Sequence, residues 1–135
     1  MEPMWLGRVV GGIGLALLAS CGGSTSPYGG GGGGGGVAPC TPTASTVCMT
    51  SGLTFNPTTL TVPVGTTVTW QNGSATTHTV TSATGSTQSF NSGNVGAGGT
   101  FTQTFNTAGT YQYYCMFHGF NGNPPTGMSG SITVQ

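Results

Sequence analysis

The chain has 135 residues and almost no charge, with one Lys or Arg, one Asp or Glu, and 1% charged residues in total. Both charged residues, Glu2 and Arg8, lie within the first ten positions. Nucleic-acid binding needs a basic surface and is therefore excluded, and long-range electrostatic steering of a partner is unavailable.

Residues 1–20 have the features of a secretory signal peptide. Arg8 precedes an apolar run at residues 9–18, which is too short to span a bilayer, and small residues follow it. The segment that ends in Cys21 resembles a bacterial lipobox, in which the cysteine is lipidated and becomes the first residue of the mature chain. An ordinary cleaved signal is the alternative.

Residues 21–36 are rich in glycine and serine and end in an unbroken glycine run. Such a composition cannot bury a core, so we expect a disordered tether. A flexible coil of this length has an average span on the order of 20 Å. With a lipid on Cys21, the protein would be held at a membrane on the extracytoplasmic (periplasmic) side of a bacterial cell envelope.

Residues 37–135 have the length of one domain. Threonine and valine alternate along short segments, and glycine, asparagine and proline separate these segments. The pattern predicts an all-β fold, an antiparallel β-sandwich. The glycine content of residues 86–99 favours a loop there. The predicted strands are residues 59–62, 66–70, 78–81, 101–105, 111–115 and 131–134.

A metal site is indicated at the end of the strand that carries Tyr111, Tyr113 and Cys115. These three residues alternate, so they point to the same face of the sheet, which is the buried face if the tyrosines belong to the core. His118 follows three residues later, where one tight turn can present a thiolate and an imidazole to one ion.

A second histidine has to come from elsewhere, and His78 is the remaining one of the two in the chain. Two histidines and a cysteine with a distant thioether form the ligand set that copper uses for electron transfer, and Met128 is the natural thioether. Zinc also accepts cysteine and histidine ligands. Taken singly, a buried cysteine or methionine is usually a packing residue.

Four segments, at residues 55–70, 72–80, 101–118 and 127–134, resemble the plastocyanin-like cupredoxins, which are small blue (type 1) copper proteins. The resemblance implies a Greek-key β-sandwich and a one-electron carrier whose copper cycles between Cu(I) and Cu(II). It makes His78, Cys115 and His118 the equatorial ligands and Met128 the axial one. Nine residues separate His118 from Met128, more than is usual in the family. An open or carbonyl-completed axial position is the alternative.

In the resembled family, the loop histidine lies within an apolar surface patch where electrons leave. We therefore expect a monomer that docks redox-partner proteins around His118 by apolar contact. The Thr79 N–H is expected to reach the Cys115 sulfur and tune the site. The residues expected to form the rim around His118 are Met116, Phe117, Phe120, Pro124 and Pro125.

Cys40 and Cys48 remain once Cys21 is assigned to lipid and Cys115 to copper. They are close in sequence and in a compartment that permits disulfides, so we expect them to pair. Two free thiols, or a second metal site with Met49, are the alternatives.

Two other functions compete with electron transfer. A copper-trafficking or storage protein would favour several exposed, replaceable ligand sets, whereas this chain has one inward-facing set. A metal-free immunoglobulin-like module on a lipid anchor explains the signal, tether and strands but leaves the histidines and Cys115 to chance. Because protein ligands would fill the coordination positions, we expect no enzyme, and two histidines are too few for a multicopper enzyme.

Overall fold

The structure is a computed structural model that describes residues 36–135. The predicted signal peptide at residues 1–20, Cys21 and nearly all of the tether lie outside the described residues. The described part contains eight strands and no helix. The strands are β1 (Thr46–Met49), β2 (Phe55–Asn56), β3 (Thr59–Val62), β4 (Thr66–Asn72), β5 (Thr81–Ser82), β6 (Thr100–Phe105), β7 (Gly109–Phe120) and β8 (Thr126–Val134).

The strands form two four-stranded sheets, with the orders β2-β1-β4-β6 and β3-β8-β7-β5. The all-β fold expected from the sequence is confirmed. Uniformly antiparallel pairing is wrong, because β1 pairs in parallel with β4, and β3 pairs in parallel with β8. Both sheets are therefore mixed. Local alternation sets the faces of each strand but carries no information on the direction of its partner.

Alternating residues of both sheets point inward and fill the space between them. On β4, Val68 and Trp70 are fully buried while their neighbours are partly exposed. Trp70 lies at the centre of an aromatic cluster, with ring centroids 5.3 to 6.3 Å away. This confirms the core role of the strand aromatics, with Phe101 only partly buried. The rings around Trp70 are Phe90, Phe101, Phe105 and Tyr113.

The predicted strand at residues 78–81 is wrong as a continuous element. His78 forms an isolated bridge with Val95, and β5 is limited to Thr81–Ser82. The Thr79 N–H donates to the Cys115 sulfur, and the Val80 N–H donates to a serine hydroxyl. Because these two donors are used by side chains, no backbone ladder can run through the segment.

The N-terminal part of the described chain carries elements that the sequence analysis missed. β1 and β2 are short, and neither shows a long threonine and valine alternation. Cys40 and Cys48 form a disulfide with a Cα–Cα distance of 5.7 Å, the pairing expected from the sequence. Among residues 36–135 there is no helix with the length and hydropathy needed to cross a membrane.

Candidate metal centre

Cys115 and His118 lie in a wide bulge of β7. Tyr114 pairs with Ser129 of β8, and the next paired residues are Gly119 and Gly127. Residues 115–118 of β7 therefore lie opposite the single residue Met128 of β8. The extra residues fold the backbone out of the ladder, as bulges do. The bulge lets residues 115–118 leave the regular pairing within β7, so that Cys115 and His118 lie close together.

His78 reaches the same point from the connection between β4 and β5. Its backbone N–H donates to the Val95 carbonyl at 3.1 Å, and its own carbonyl accepts the Val95 N–H at 2.8 Å. This double contact fixes the backbone beneath the ring. The side chain is fully buried, like that of Cys115, whereas His118 is only partly buried.

The three predicted donor atoms form a compact triangle. His78 Nδ1 lies 3.2 Å from His118 Nδ1 and 3.8 Å from Cys115 Sγ, and His118 Nδ1 lies 3.4 Å from Cys115 Sγ. These three edges place the centre of the triangle about 2 Å from each atom, which is close to metal–nitrogen and metal–sulfur bond lengths in proteins. The arrangement fits one metal ion bound by two imidazoles and a thiolate. This trigonal set is the one preferred by blue copper.

The side chain of Met128 is buried in the core. β8 alternates between buried and partly exposed residues from Met128 to Val134, and Met128 is 1% exposed. It lies opposite residues 115–118 in the strand register. Beyond the bulge, β7 and β8 pair again at Gly119 and Gly127. This pairing brings the end of the long loop after His118 back to the site. A thioether is the usual weak axial ligand in blue copper sites.

Thr79 links the two segments that carry the equatorial donors. Its N–H donates to Cys115 Sγ at 3.3 Å, the contact expected from the sequence. Its hydroxyl accepts the Met116 N–H at 2.8 Å, an interaction that the sequence did not indicate. A hydrogen bond to the sulfur withdraws charge from it and tunes a bound metal. The two bonds together hold the Cys115 segment against the His78 segment.

Ser74 and Asn72 are further polar residues at the site, and the sequence analysis did not single them out. Ser74 Oγ lies 3.0 Å from His78 Nε2, and Asn72 Oδ1 accepts the Ser74 hydroxyl at 2.8 Å. One signal was available for Asn72, because the alternation of Val68 and Trp70 along β4 continues to it and places it inward. Nothing local to the sequence connects Ser74 with the outer nitrogen of His78.

The surroundings of His78 favour its neutral form. Burial lowers the pKa of His78 below its ordinary value, and the neighbouring His118 lowers it further. A metal ligand has to offer an unprotonated nitrogen, so a lowered pKa reduces the competition between protons and metal.

Three of the five apolar residues expected around His118 are large and strongly exposed, while Pro124 is exposed and Pro125 partly buried. We call Met116, Phe117 and Phe120 the apolar rim. They are 54%, 56% and 74% exposed. The Phe117 ring centroid lies 6.2 Å from that of His118. Large apolar side chains that are exposed together commonly mark a surface that binds another molecule.

Residues 36–135 form a sandwich of two four-stranded sheets without a helix, and two histidines and a cysteine lie together in it. This fold and this site define the class of the protein as a cupredoxin. Residues 42–135 match the copper-binding proteins of the plastocyanin/azurin family. The chain belongs to this family. Its cofactor is copper, and the cluster of His78, Cys115 and His118 could hold the ion.

Individual relatives agree with this assignment. Plastocyanin of Scenedesmus fuscus is 32% identical, over 62% of this chain and 88% of the relative. A purple cupredoxin from Nitrosopumilus maritimus superposes with a TM-score of 0.54 and 30% identity, over 67% of this chain and 99% of the other. An oxidised amicyanin variant gives a TM-score of 0.56 and 29% identity, over 67% of this chain and 80% of the other.

A copper-containing nitrite reductase from Thermus scotoductus is also similar, with a TM-score of 0.58 and 29% identity over 71% of this chain. The matched region is 23% of the reductase. The chain therefore corresponds to a cupredoxin unit within that enzyme, and the activity of the whole reductase does not transfer with it.

Proposed function

We propose that the protein is a one-electron carrier with a mononuclear type 1 copper site, tethered to a membrane in the bacterial cell envelope. The ligands in this proposal are His78, Cys115 and His118, with Met128 in the axial position. Copper supplies the one-electron Cu(II)/Cu(I) couple. The single observation that carries the proposal is the triangle of three donor atoms whose centre lies about 2 Å from each.

The protein's part in this function is to hold the donors still. His78 is fixed through Val95, and Cys115 is fixed through Thr79. Donors that move little between the two oxidation states lower the reorganisation that accompanies electron transfer. Because His78 and Cys115 are fully buried, they are poorly suited to hand copper to another protein. This favours a carrier over a trafficking protein.

Copper addition to the purified protein tests the site. We expect one equivalent of Cu(II) to produce an intense blue thiolate-to-copper absorption that disappears on reduction. Cys115→Ser should abolish the colour, because the sulfur that provides the charge transfer is lost. Tyr114→Phe is the matched control, since Tyr114 is adjacent but points away from the core. A colourless wild-type protein, or a blue Cys115→Ser variant, would contradict the proposal.

The axial ligand needs its own comparison. Met128→Leu removes the thioether from a side chain that is 1% exposed, whereas Met116→Leu makes the same change at a side chain that is 54% exposed. We expect both variants to bind copper and Met128→Leu alone to shift the reduction potential and the visible spectrum. If the two variants match the wild type, the axial position is open or carbonyl-completed instead.

Electron transfer would take place through the apolar rim around His118. Residues 9–135 contain no Lys, Arg, Asp or Glu, so recognition there depends on apolar and hydrogen-bonding contact. We therefore expect the rate of electron self-exchange between oxidised and reduced copies, measured by NMR line broadening, to be nearly independent of ionic strength.

The rim itself can be tested with the same assay. Phe120→Ser should slow self-exchange because it removes the most exposed apolar side chain of the rim. Val64→Ser is the control, since Val64 is a 49% exposed apolar residue in the turn between β3 and β4. Equal rates in the two variants, or a steep salt dependence in the wild type, would argue against docking at the rim. We expect a monomer outside these encounters.

The membrane tether is proposed from residues 1–36, which lie almost entirely outside the described structure. Lipidation of Cys21 would hold the domain at the membrane through the glycine-rich segment. On expression in a bacterium, the wild-type protein should fractionate with membranes and carry acyl chains detectable by mass spectrometry. Cys21→Ala should lose both properties, while Cys115→Ser should keep them. A soluble wild-type protein cleaved at another position would indicate an ordinary signal peptide.

We propose no enzymatic activity. With three equatorial donors and Met128 from the protein itself, a substrate would have no open coordination position. Turnover of nitrite by the copper-loaded protein, at a rate lost in Cys115→Ser, would overturn this view.

A further inference from the structure

The buried polar side chains of residues 36–135 are concentrated at one place. Apart from the tyrosines and Trp70 there are four of them, and they are Asn72, Ser74, His78 and Thr79. Burial of a polar group without a partner is costly, so most such groups are hydrogen-bonded. Thr79 forms hydrogen bonds with Cys115 and Met116. The other three form a separate chain of hydrogen bonds that ends on the outer nitrogen of His78.

The direction of this chain is fixed by two backbone carbonyls. Asn72 Nδ2 donates to the carbonyls of Thr76 at 2.7 Å and Val95 at 2.9 Å. Carbonyl oxygens only accept, so this nitrogen has to be the amide NH₂ and the other atom has to be Oδ1. Asn72 Oδ1 then accepts both the Ser74 N–H at 2.9 Å and the Ser74 hydroxyl at 2.8 Å.

Ser74 is left with lone pairs and no free hydrogen. A hydroxyl has one hydrogen, and its acceptors apart from the ring are Asn72 Oδ1 at 2.8 Å and the Thr76 carbonyl at 3.2 Å, so the shorter contact assigns the hydrogen to Asn72. The oxygen accepts the Thr76 N–H at 3.2 Å and faces His78 Nε2 at 3.0 Å. It can therefore only accept from the ring. A neutral imidazole that donates from Nε2 has its lone pair on Nδ1, the atom that faces Cys115 and His118.

We propose that Ser74, oriented by Asn72, is the positioning residue that fixes the Nε2–H tautomer of His78 and presents Nδ1 to copper. The inference builds on the proposed copper site, but the tautomer itself is a property of the metal-free protein. The acceptor is a neutral hydroxyl in a domain without carboxylate side chains. A hydrogen bond from Nε2–H to this acceptor lets the ring donate more charge to a bound ion, so removal of the acceptor should weaken binding of Cu(II) more than binding of Cu(I).

Three variants separate positioning from packing. Ser74→Ala removes the acceptor, Ser74→Thr keeps a hydroxyl at the same position, and Thr77→Ala deletes a hydroxyl from an exposed residue of the same loop. We expect Ser74→Ala to raise the Cu(II) dissociation constant about tenfold or more and to raise the reduction potential. Ser74→Thr should restore both values towards those of the wild type, and Thr77→Ala should leave both unchanged.

Nitrogen-15 NMR of the metal-free protein supplies a readout that does not depend on copper. The wild type should show His78 as the Nε2–H tautomer with a slowly exchanging proton, and in Ser74→Ala this protection should be lost because the acceptor is gone. His78 with its proton on Nδ1 in the wild type would overturn the proposal, even if Ser74→Ala does not fold. Equal behaviour of Ser74→Ala and Thr77→Ala would also overturn it. An Nε2–H tautomer in a protein that gives no blue copper would support the positioning role and refute the carrier function.

Discussion

Gly127→Ala should displace the backbone of His118, although Gly127 is not itself a ligand. Gly127 has a φ of +73° and pairs with Gly119 just beyond the bulge. A Cβ added there would lie 2.8 Å from the His118 carbonyl oxygen and 2.9 Å from Gly119 Cα. Both atoms are backbone atoms of β7, so the strain cannot be relieved by rotation of a side chain.

The expected cost has two parts. A left-handed conformation costs a residue with a Cβ roughly 1 to 2 kcal/mol. Overpacking against a backbone that has to shift adds about 1 to 3 kcal/mol. Gly98→Ala separates the parts, because Gly98 has the same φ of +73° with no atom within 4 Å of an added Cβ. We therefore expect Gly127→Ala to be less stable than Gly98→Ala by about 1 to 3 kcal/mol.

Urea unfolding of the metal-free proteins measures this difference without a contribution from copper binding. The visible spectrum of the copper-loaded proteins gives a second readout, since displacement of the His118 backbone should alter the absorption of Gly127→Ala and leave that of Gly98→Ala unchanged. Equal unfolding free energies for the two variants would refute the claim that close backbone approach at Gly127 holds β8 against the bulge.

Three further outcomes concern stability. Copper that binds only the folded protein should stabilise it by about 4 kcal/mol at a free concentration one thousand times the dissociation constant, and a melting temperature that does not respond to copper would count against a site formed by the fold. Trp70→Ala should lower the free energy of unfolding in urea by about 3 to 5 kcal/mol, because four aromatic rings pack around a fully buried side chain. A decrease below about 1 kcal/mol would be inconsistent with this cluster as the core. Replacement of both Cys40 and Cys48 by serine should cost about 2.5 kcal/mol, the loop-closure entropy for a sequence separation of 8; an unchanged unfolding midpoint would show that the disulfide does not restrict the unfolded chain.

The donor residues were predictable because their chemistry is local. Cys115 and His118 are three positions apart at the end of an aromatic strand, and alternation with Tyr111 and Tyr113 makes Cys115 an inward residue. His78 followed by elimination, since a chain with two histidines leaves no other choice. Elimination also predicted the disulfide, because Cys40 and Cys48 remain once Cys21 is assigned to lipid and Cys115 to copper. The Cys40–Cys48 disulfide is present in the structure.

The order and direction of the strands were not readable from the sequence. The parallel pairs of β1 with β4 and of β3 with β8 join segments that are distant along the chain. Alternation sets only which face of a strand is buried. The short strands β1 and β2 also escaped prediction, because a strand of two to four residues is stabilised by its neighbours and has no periodic signal of its own.

The residues able to bind copper could be identified from the sequence alone, whereas the ligand atom of each residue and the way it is held depend on the tertiary fold. The bulge opposite Met128 and the hydrogen bond from Thr79 to Cys115 Sγ depend on register between separate strands and loops. The acceptor for His78 Nε2 is set by the orientation of Asn72, which in turn depends on the Val95 carbonyl in another loop. Ligand identity is a property of single residues, whereas the orientation of a ligand depends on contacts between residues far apart in the sequence.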